Sequence, residues 1–253
     1  MNGTIFLNFS ALIYTLLIAV CYFNKERLRT KEQKVYSCLI FVSIYELLMG
    51  LFSTITIYYN IVNLMDMAGK LFIIGTFLWI FVFTLYIIFI SNIKQQILKF
   101  FLYLTIISFI LIIILPLNYI YNGDVMYSEG LALIVVYSYT LIQILVCICL
   151  GIKNLKKYDK RFIPLWCFII LGTIFTYIQY LMPEVFLIVP LEVFITSLMY
   201  HTIENPDLQM LKEFHKAREL AEESNKEKTE FLFNISNQIK TPINKIIETS
   251  EKA

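Results

Sequence analysis

The chain has 253 residues, of which 58% are hydrophobic and 16% charged, and its formal net charge is +2. Soluble domains carry about 25% charged residues, so this composition excludes an ordinary water-soluble fold. The small net charge, together with the lack of a basic face interleaved with aromatic residues, argues against a nucleic-acid partner. The five cysteines lie in or beside apolar runs, and their spacing predicts neither a metal site nor a disulfide framework.

Seven apolar stretches are long enough to cross a bilayer, which takes about 20 mostly apolar residues for a helix. Five of the seven contain no charged residue, and short connections separate them. The runs are continuously apolar rather than alternating, which favours helices over strands. We therefore expect an all-α membrane protein with seven transmembrane helices, at residues 5–23, 36–59, 71–93, 100–120, 131–152, 162–182 and 185–203.

The loop charges predict the orientation, because Lys and Arg accumulate on the cytoplasmic side of a membrane. The first, third and fifth loops hold twelve of these residues, whereas the second, fourth and sixth hold only Lys70. The N-terminus is thus expected outside and the tail after residue 203 in the cytoplasm. The first stretch follows no basic segment and precedes no small-residue cleavage site, so it reads as an anchor rather than a cleaved signal peptide.

Two predicted spans carry one carboxylate each, Glu46 in the second and Glu192 in the seventh. A charge at mid-bilayer costs on the order of 2.5–3.5 kcal/mol on insertion scales, so such residues usually face a cavity or a partner. Both lie roughly 15 Å from the cytoplasmic boundary, which permits a shared site if the two spans are neighbours. Two interpretations stay open. One is an acidic pocket for a cation, an amine or a proton, with Gln143 or Tyr139 as a further lining residue; the other is a pair of protonated carboxyls that fix helix packing.

The tail predicts a long helix that begins directly after the last span. Asn205 suits a helix cap, Pro206 the first helical position and Asp207 the positive helix end. Residues 207–241 contain no Gly or Pro and are rich in good helix formers. A weak, dimerising coiled coil is expected, with a solvated single helix as the alternative. Its heptad seam would comprise Met210, Phe214, Ala217, Ala221, Ser224, Lys228, Phe231 and Ile235.

Residues 217–244, ARELAEESNKEKTEFLFNISNQIKTPIN, resemble the linker helix and H-box of bacterial sensor histidine kinases. The seven spans are similar in number and orientation to the sensor regions of some of these kinases. The resemblance implies a sensor region at 1–203, a cytoplasmic linker helix at 204–229 and an incomplete dimerisation and phosphoacceptor helix at 230–253. The positions that match the family pattern are Phe231, Leu232, Asn234, Ser236, Ile239, Thr241, Pro242 and Asn244.

Two departures from the family pattern concern catalysis. Asn237 stands where the family has its phosphorylated histidine, and a carboxamide cannot accept a phosphoryl group as imidazole does. Gln238 replaces the neighbouring acidic residue, although Thr241 and Pro242 are kept. No nucleotide-binding motif occurs in the chain. The chain alone is therefore expected to be catalytically inactive and to hold no cofactor; ATP would need a domain beyond Ala253.

The leading hypothesis is the membrane sensor portion of a two-component, histidine-kinase-like signal transducer in a bacterial plasma membrane. It would pass a stimulus from the bilayer or the exterior to the cytoplasmic helix. The expected partners are a second copy or a full-length histidine kinase, membrane lipid and, through the full system, a response regulator. The alternatives are a seven-span ligand receptor that couples through its loops and, less well supported with eight glycines and no visible repeat, a transporter-like protein.

Overall fold

The computed structural model describes residues 2–24, 30–91, 95–122, 125–154, 160–181, 187–203 and 206–251. The chain divides into two compact units, Met1–Ile203 and Glu204–Ala253; we call the first unit the bundle. The described part contains eight α-helices and one β-hairpin, and a 3-10 turn at Lys160–Phe162 precedes α6. In chain order the elements are α1 (Asn2–Phe23), α2 (Lys31–Tyr58), α3 (Val62–Ile90), α4 (Gln95–Ile114), β1 (Asn118–Asn122), β2 (Val125–Glu129), α5 (Leu131–Asn154), α6 (Ile163–Leu181), α7 (Ile188–Ile203) and α8 (Pro206–Glu251).

Four helices of the bundle, α1, α2, α3 and α5, are long and apolar enough to cross a membrane. Helix α7 and the 98–114 part of α4 are shorter apolar helices. Large apolar side chains such as Phe6, Ile114 and Leu141 lie exposed on the surface of the bundle, as expected of helices whose outer faces meet lipid. The prediction of a helical protein of membrane type is confirmed at this level, while the number of spans and the orientation stay predictions.

Helix α3 forms the centre of the bundle. It packs against α2, α4 and α5, while α7 packs against α1, α2 and α6. Helix α3 is apolar around most of its circumference after Lys70, a pattern typical of a helix surrounded by other helices. Its fully buried side chains include Phe77, Trp79, Phe83 and Tyr86, and the Trp79 and Phe83 rings stack at 5.2 Å. These aromatic residues form the middle of the hydrophobic core.

The connection from α4 to α5 differs from the prediction. Helix α4 ends at Ile114 instead of continuing to residue 120, and Asn118–Asn122 pairs with Val125–Glu129 in an antiparallel hairpin. Pro116 explains the early end, because proline lacks an N–H group and disfavours helix at the preceding residue. The prediction of a fourth span through residue 120 was wrong at this end, and the described structure is not purely helical.

Helix α3 begins at Val62, nine residues before the predicted start of the third span. The hydropathy window began only after Asp66 and Lys70, since charged residues end an apolar run. In the structure these two side chains lie one helical turn apart with their charged atoms 3.5 Å apart. The charges are thus accommodated within the first turns of the helix, in the i, i+4 arrangement that stabilises helices.

One end of the bundle joins the start of α2 to the turn before α6. A capping box formed by Thr30 and Gln33 begins α2, and the Arg161 guanidinium lies 2.5 Å from the Glu32 carboxylate. Helix α7 finishes at the same end, where the rings of Tyr22 and Tyr200 are 6.5 Å apart. Helices α2 and α7 therefore run antiparallel.

Helix α8 has 46 residues and begins at Pro206, as predicted for the first helical position. Asn205, the predicted cap, lies outside the described residues. The helix continues beyond the Gly- and Pro-free stretch that ends at residue 241 and contains Pro242 in its interior. On the solvent-exposed surface of α8, Arg218 Nε and Glu222 Oε1 form an ion pair at 2.8 Å.

Candidate functional site: a buried glutamate pair

The structure brings Glu46 of α2 and Glu192 of α7 together. The side chains of both residues are buried, with an exposed fraction of 2% each. The Ser43 and Thr196 hydroxyls, about one helical turn away along each helix, are 3.4 Å apart, so the two glutamates lie side by side between α2 and α7. The second and seventh hydrophobic helices, α2 and α7, are therefore neighbours. A shared site for the two glutamates depends on this arrangement.

A hydrogen bond between two carboxyl groups requires a proton between them. Two ionised carboxylates offer only acceptor atoms, whereas a protonated carboxyl has one O–H donor. Two adjacent like charges away from water also strongly disfavour the doubly ionised form, and paired carboxyls that share one proton are the known solution. An arrangement in which the two adjacent carboxyls hydrogen-bond to each other therefore holds at least one proton.

Helix α3 completes the site with a donor and a close approach. The Thr76 hydroxyl donates to Glu46 Oε1 at 2.7 Å. The preceding residue, Gly75, faces the backbone of Glu46, where an added Cβ would lie 2.9 Å from the Glu46 Cα. Glycine is required at such a distance, because any larger residue would force α2 and α3 apart. The Gly75–Thr76 pair therefore positions α3 against the glutamate.

Thr196, one helical turn after Glu192, joins α7 to two other helices. Its hydroxyl donates to the Glu192 carbonyl at 2.8 Å and accepts from Trp79 Nε1 of α3 at 3.2 Å. The Ser43 hydroxyl of α2 lies 3.4 Å from the same oxygen, and the Tyr36 hydroxyl donates to the Thr196 carbonyl at 2.8 Å. One polar face of α7 is therefore fastened to α2 and α3 immediately beside the glutamate pair.

The next residue of α7 extends these contacts to the first helix. The hydroxyls of Tyr14 in α1 and Ser197 in α7 are 2.7 Å apart. Glu192, Thr196 and Ser197 thus attach α7 to α1, α2 and α3 over less than two turns. The position of α7 in the bundle depends on a short row of polar contacts with the glutamate pair at one end.

One atom of the pair has no hydrogen-bond partner. Glu192 Oε2 is buried and accepts no hydrogen bond from any described residue. Two surface clefts of the bundle, with volumes of about 480 and 350 Å³, include neither glutamate. The site therefore has an unused acceptor, and neither of these two clefts reaches it.

Tyr139 and Gln143, the other predicted lining residues, lie in a different interface. The hydroxyls of Tyr139 in α5 and Thr105 in α4 are 2.9 Å apart, and the Tyr139 ring lies 4.4 Å from that of Phe77. Gln143 is buried near Tyr139, and its amide forms no hydrogen bond of good geometry with the described residues. Neither residue has a described hydrogen bond to a glutamate of the pair, and their role in lining an acidic pocket stays a prediction.

The residues of the H-box-like segment lie on α8. Asn237, Gln238 and Pro242 are exposed; the side chain of Thr241 lies outside what the structure describes. Their assignment to a degenerate phosphoacceptor site stays a prediction. In the described ranges, no group of three or more His, Cys, Asp or Glu side chains could hold a metal ion.

Sequence reasoning found the two glutamates but missed the residues that support them. Thr196 could have been found from its spacing, because residues four apart share a helix face and it follows Glu192 by four. Gly75 and Thr76 form a small polar interruption in a stretch of bulky apolar residues, a signal of close helix approach. Trp79 and Tyr36 carry no such signal, since aromatic residues are common throughout the chain.

The comparison with known proteins identifies no family. The chain matches no protein-family model, no curated protein and no solved structure.

Proposed function

We propose that this chain is the membrane sensor portion of a histidine-kinase-like signal transducer, with α8 as its output helix. The observation that carries the proposal is the continuity of α8. Only two residues separate the end of α7 at Ile203 from the start of α8 at Pro206. The H-box-like segment then lies within one uninterrupted helix of 46 residues. A displacement of α7 would therefore be passed to the signalling segment through a short connection.

The proposed topology has seven spans, with the N-terminus outside and α8 in the cytoplasm of a bacterial cell. Helices α4 and α6 have 20 and 19 residues, close to the length that a bilayer requires. Helix α7 has 16 residues and packs beside α1 and α2, so we place it across the bilayer with them. The excess of Lys and Arg in the odd-numbered loops supports this orientation.

We propose a second copy of the chain as the partner of α8. Phe214 and Phe231 lie on the predicted heptad face, and their exposed fractions are 66% and 64%. Large apolar side chains on a helix with a strongly polar opposite face favour association. In a parallel dimer each of these residues would meet its own counterpart, which buries the stripe symmetrically.

The output would pass through a partner because Asn237 cannot serve as a phosphoacceptor. A mixed dimer with a full-length histidine kinase, or a domain beyond Ala253, would supply the histidine and the ATP site. A response regulator would then receive the signal from the complete system. In this proposal the present chain contributes the sensing bundle and one half of the helix pair.

The dimer is tested by cysteine crosslinking along α8. In a background without the five native cysteines, single cysteines are introduced from residue 213 to residue 236 in membrane vesicles. We expect oxidative crosslinking to peak every three to four residues, at positions 214, 217, 221, 224, 228, 231 and 235, because these share the proposed seam. Glu219→Cys and Lys226→Cys, on the opposite face, are the matched controls.

A flat profile, or maxima at residues 219 and 226, would contradict the proposed pairing. A flat profile would favour the seven-span receptor that couples through its loops, because such a receptor needs no paired tail. The readout depends only on α8 and does not require a stimulus to be known.

A further inference from the structure

We infer that the Glu46–Glu192 pair is a proton-binding site, and that its proton fastens α7 to α2. Gain and loss of this proton would shift α7 relative to α1, α2 and α3. The link from α7 to an output helix rests on the proposed function, but the proton site itself does not. The ligand is a proton exchanged with the aqueous phase.

The first step of the argument is the bond that the proton makes. Protonated, the two adjacent, buried carboxyls can hold α2 and α7 together through one carboxyl–carboxyl hydrogen bond. Deprotonated, the pair becomes two facing carboxylates. The Glu46 carboxylate accepts a hydrogen bond from the Thr76 hydroxyl. Glu192 Oε2 accepts none from the described residues. Attraction between the two helices at this point becomes repulsion.

The second step concerns where the repulsion acts. Glu192 lies at one end of the row of contacts formed by Thr196 and Ser197. Those contacts are uncharged hydrogen bonds between hydroxyls, an indole N–H group and a carbonyl, and they carry no charge that could offset repulsion at the pair. We expect α7 rather than α2 to move when the pair loses its proton, because α2 is also packed closely against α3 at Gly75.

Other charged groups lie too far along their helices to neutralise the pair. Helices α1 and α6 contain no Asp, Glu, Lys, Arg or His. At about 1.5 Å per residue, Lys34 of α2 lies roughly 18 Å from Glu46 along the axis, Lys70 of α3 roughly 9 Å from Thr76, and His201 of α7 roughly 14 Å from Glu192. Lys70 already pairs with Asp66.

Two tyrosine hydroxyls contact α7 beside the pair. The Tyr14 hydroxyl lies 2.7 Å from that of Ser197, and the Tyr36 hydroxyl donates to the Thr196 carbonyl.

The third step identifies the ligand class. Both glutamates are almost fully buried, and neither adjoins the two clefts described above. Among the described residues, the site offers two metal-ligating side chains of the His, Cys, Asp and Glu types, and no group of three or more of them could hold a metal ion. A shared proton needs only two adjacent carboxyl groups, which the burial of both glutamates and the neighbouring Ser43–Thr196 contact provide.

Trp79 provides a built-in reporter for the test. It is fully buried, donates to Thr196 and packs against Phe168 of α6. The only other tryptophan is Trp166, so Trp166→Phe leaves one fluorophore. The full chain carrying this change is reconstituted in lipid vesicles, and the Trp79 emission is followed from about pH 4 to about pH 10.

We expect a single one-proton transition in the emission of Trp79. Glu192→Gln should abolish it and hold the low-pH spectrum, because the amide can donate to the Glu46 carboxylate at every pH. Glu46→Gln is the reciprocal variant of the same size. Glu32→Gln, which alters a distant ion pair with Arg161, is the matched control and should leave the transition in place.

Three results would overturn the proton site: no transition in the parent chain, a transition that persists in both glutamine variants, or a midpoint that follows sodium concentration at fixed pH. The test is separate from the test of function. If the transition occurs but α8 shows a flat crosslinking profile, the proton site stands and the output helix does not.

Discussion

Replacing Gly75 by alanine is expected to destabilise the bundle by roughly 1–3 kcal/mol, the usual cost of overpacking a close-packed interior. The added Cβ would lie 2.9 Å from the Cα of Glu46 and 3.0 Å from its Cβ. Backbone atoms cannot rotate away as the end of a long side chain can, so α2 and α3 must separate. Thermal unfolding of the purified chain in detergent, followed by circular dichroism, measures the loss.

The matched control is Gly172→Ala in α6. Its added Cβ would lie 3.7 Å from Leu191 Cδ2, an ordinary contact distance. Because alanine favours helix over glycine by about 1 kcal/mol, this variant should be as stable as the parent or slightly more stable. Equal melting temperatures for the two alanine variants would contradict the close approach at Gly75.

The second large effect is expected for Glu192→Leu. The change removes the partner of the Glu46 carboxyl, which stays buried with only the Thr76 hydroxyl. Leaving a buried polar group without its partner costs about 1–3 kcal/mol. The unfolding free energy of the single variant should fall by that amount, measured as for Gly75→Ala.

The double variant Glu46→Leu with Glu192→Leu shows whether the two residues act as a pair. Removing both carboxyls leaves only the Thr76 hydroxyl without its partner, so the double variant should lose less stability than the sum of the two single variants. Contacting residues typically show coupling of about 0.5–3 kcal/mol. Strict additivity would mean that the two carboxyls do not interact.

The positions of the glutamates were predictable because depth in an apolar helix can be counted along the sequence. Glu46 and Glu192 have similar distances from the inner ends of their predicted spans, 36–59 and 185–203, and the structure brings them together. The neighbours of α7 could not be counted in this way, since the order of helices around a bundle depends on packing. The roles of Thr196 and Trp79 depend on that order and became visible only with the fold.

The ends of the predicted spans were less accurate because hydropathy alone does not mark a helix end. The sequence Asn118-Tyr-Ile-Tyr-Asn-Gly is apolar enough to extend a span. It also carries a hairpin signal, since Asn-Gly between short alternating segments favours a tight β-turn. After Pro116, Asn118–Asn122 pairs with Val125–Glu129 as a strand. At Val62–Lys70 the opposite error arose, because Asp66 and Lys70 interrupt the apolar run within the first turns of α3.

In α8 the local sequence predicted the start of the helix better than its end. Pro206 fits the first helical position because its missing N–H group would be unpaired there. Pro242 ends the Gly- and Pro-free stretch of residues 207–241, and proline disfavours a helix interior. The helix nevertheless runs on to Glu251, so one proline among good helix formers does not end it.

The central claim, that the chain crosses a membrane with its output helix inside the cell, is tested most directly by labelling from one side. In a cysteine-free background, Asn60→Cys and Glu219→Cys are treated with a membrane-impermeant maleimide; both native residues are exposed. We expect residue 60, between α2 and α3, to be labelled in intact cells and residue 219 only after permeabilisation. Labelling of residue 219 in intact cells would contradict the orientation and the proposed signalling role of α8.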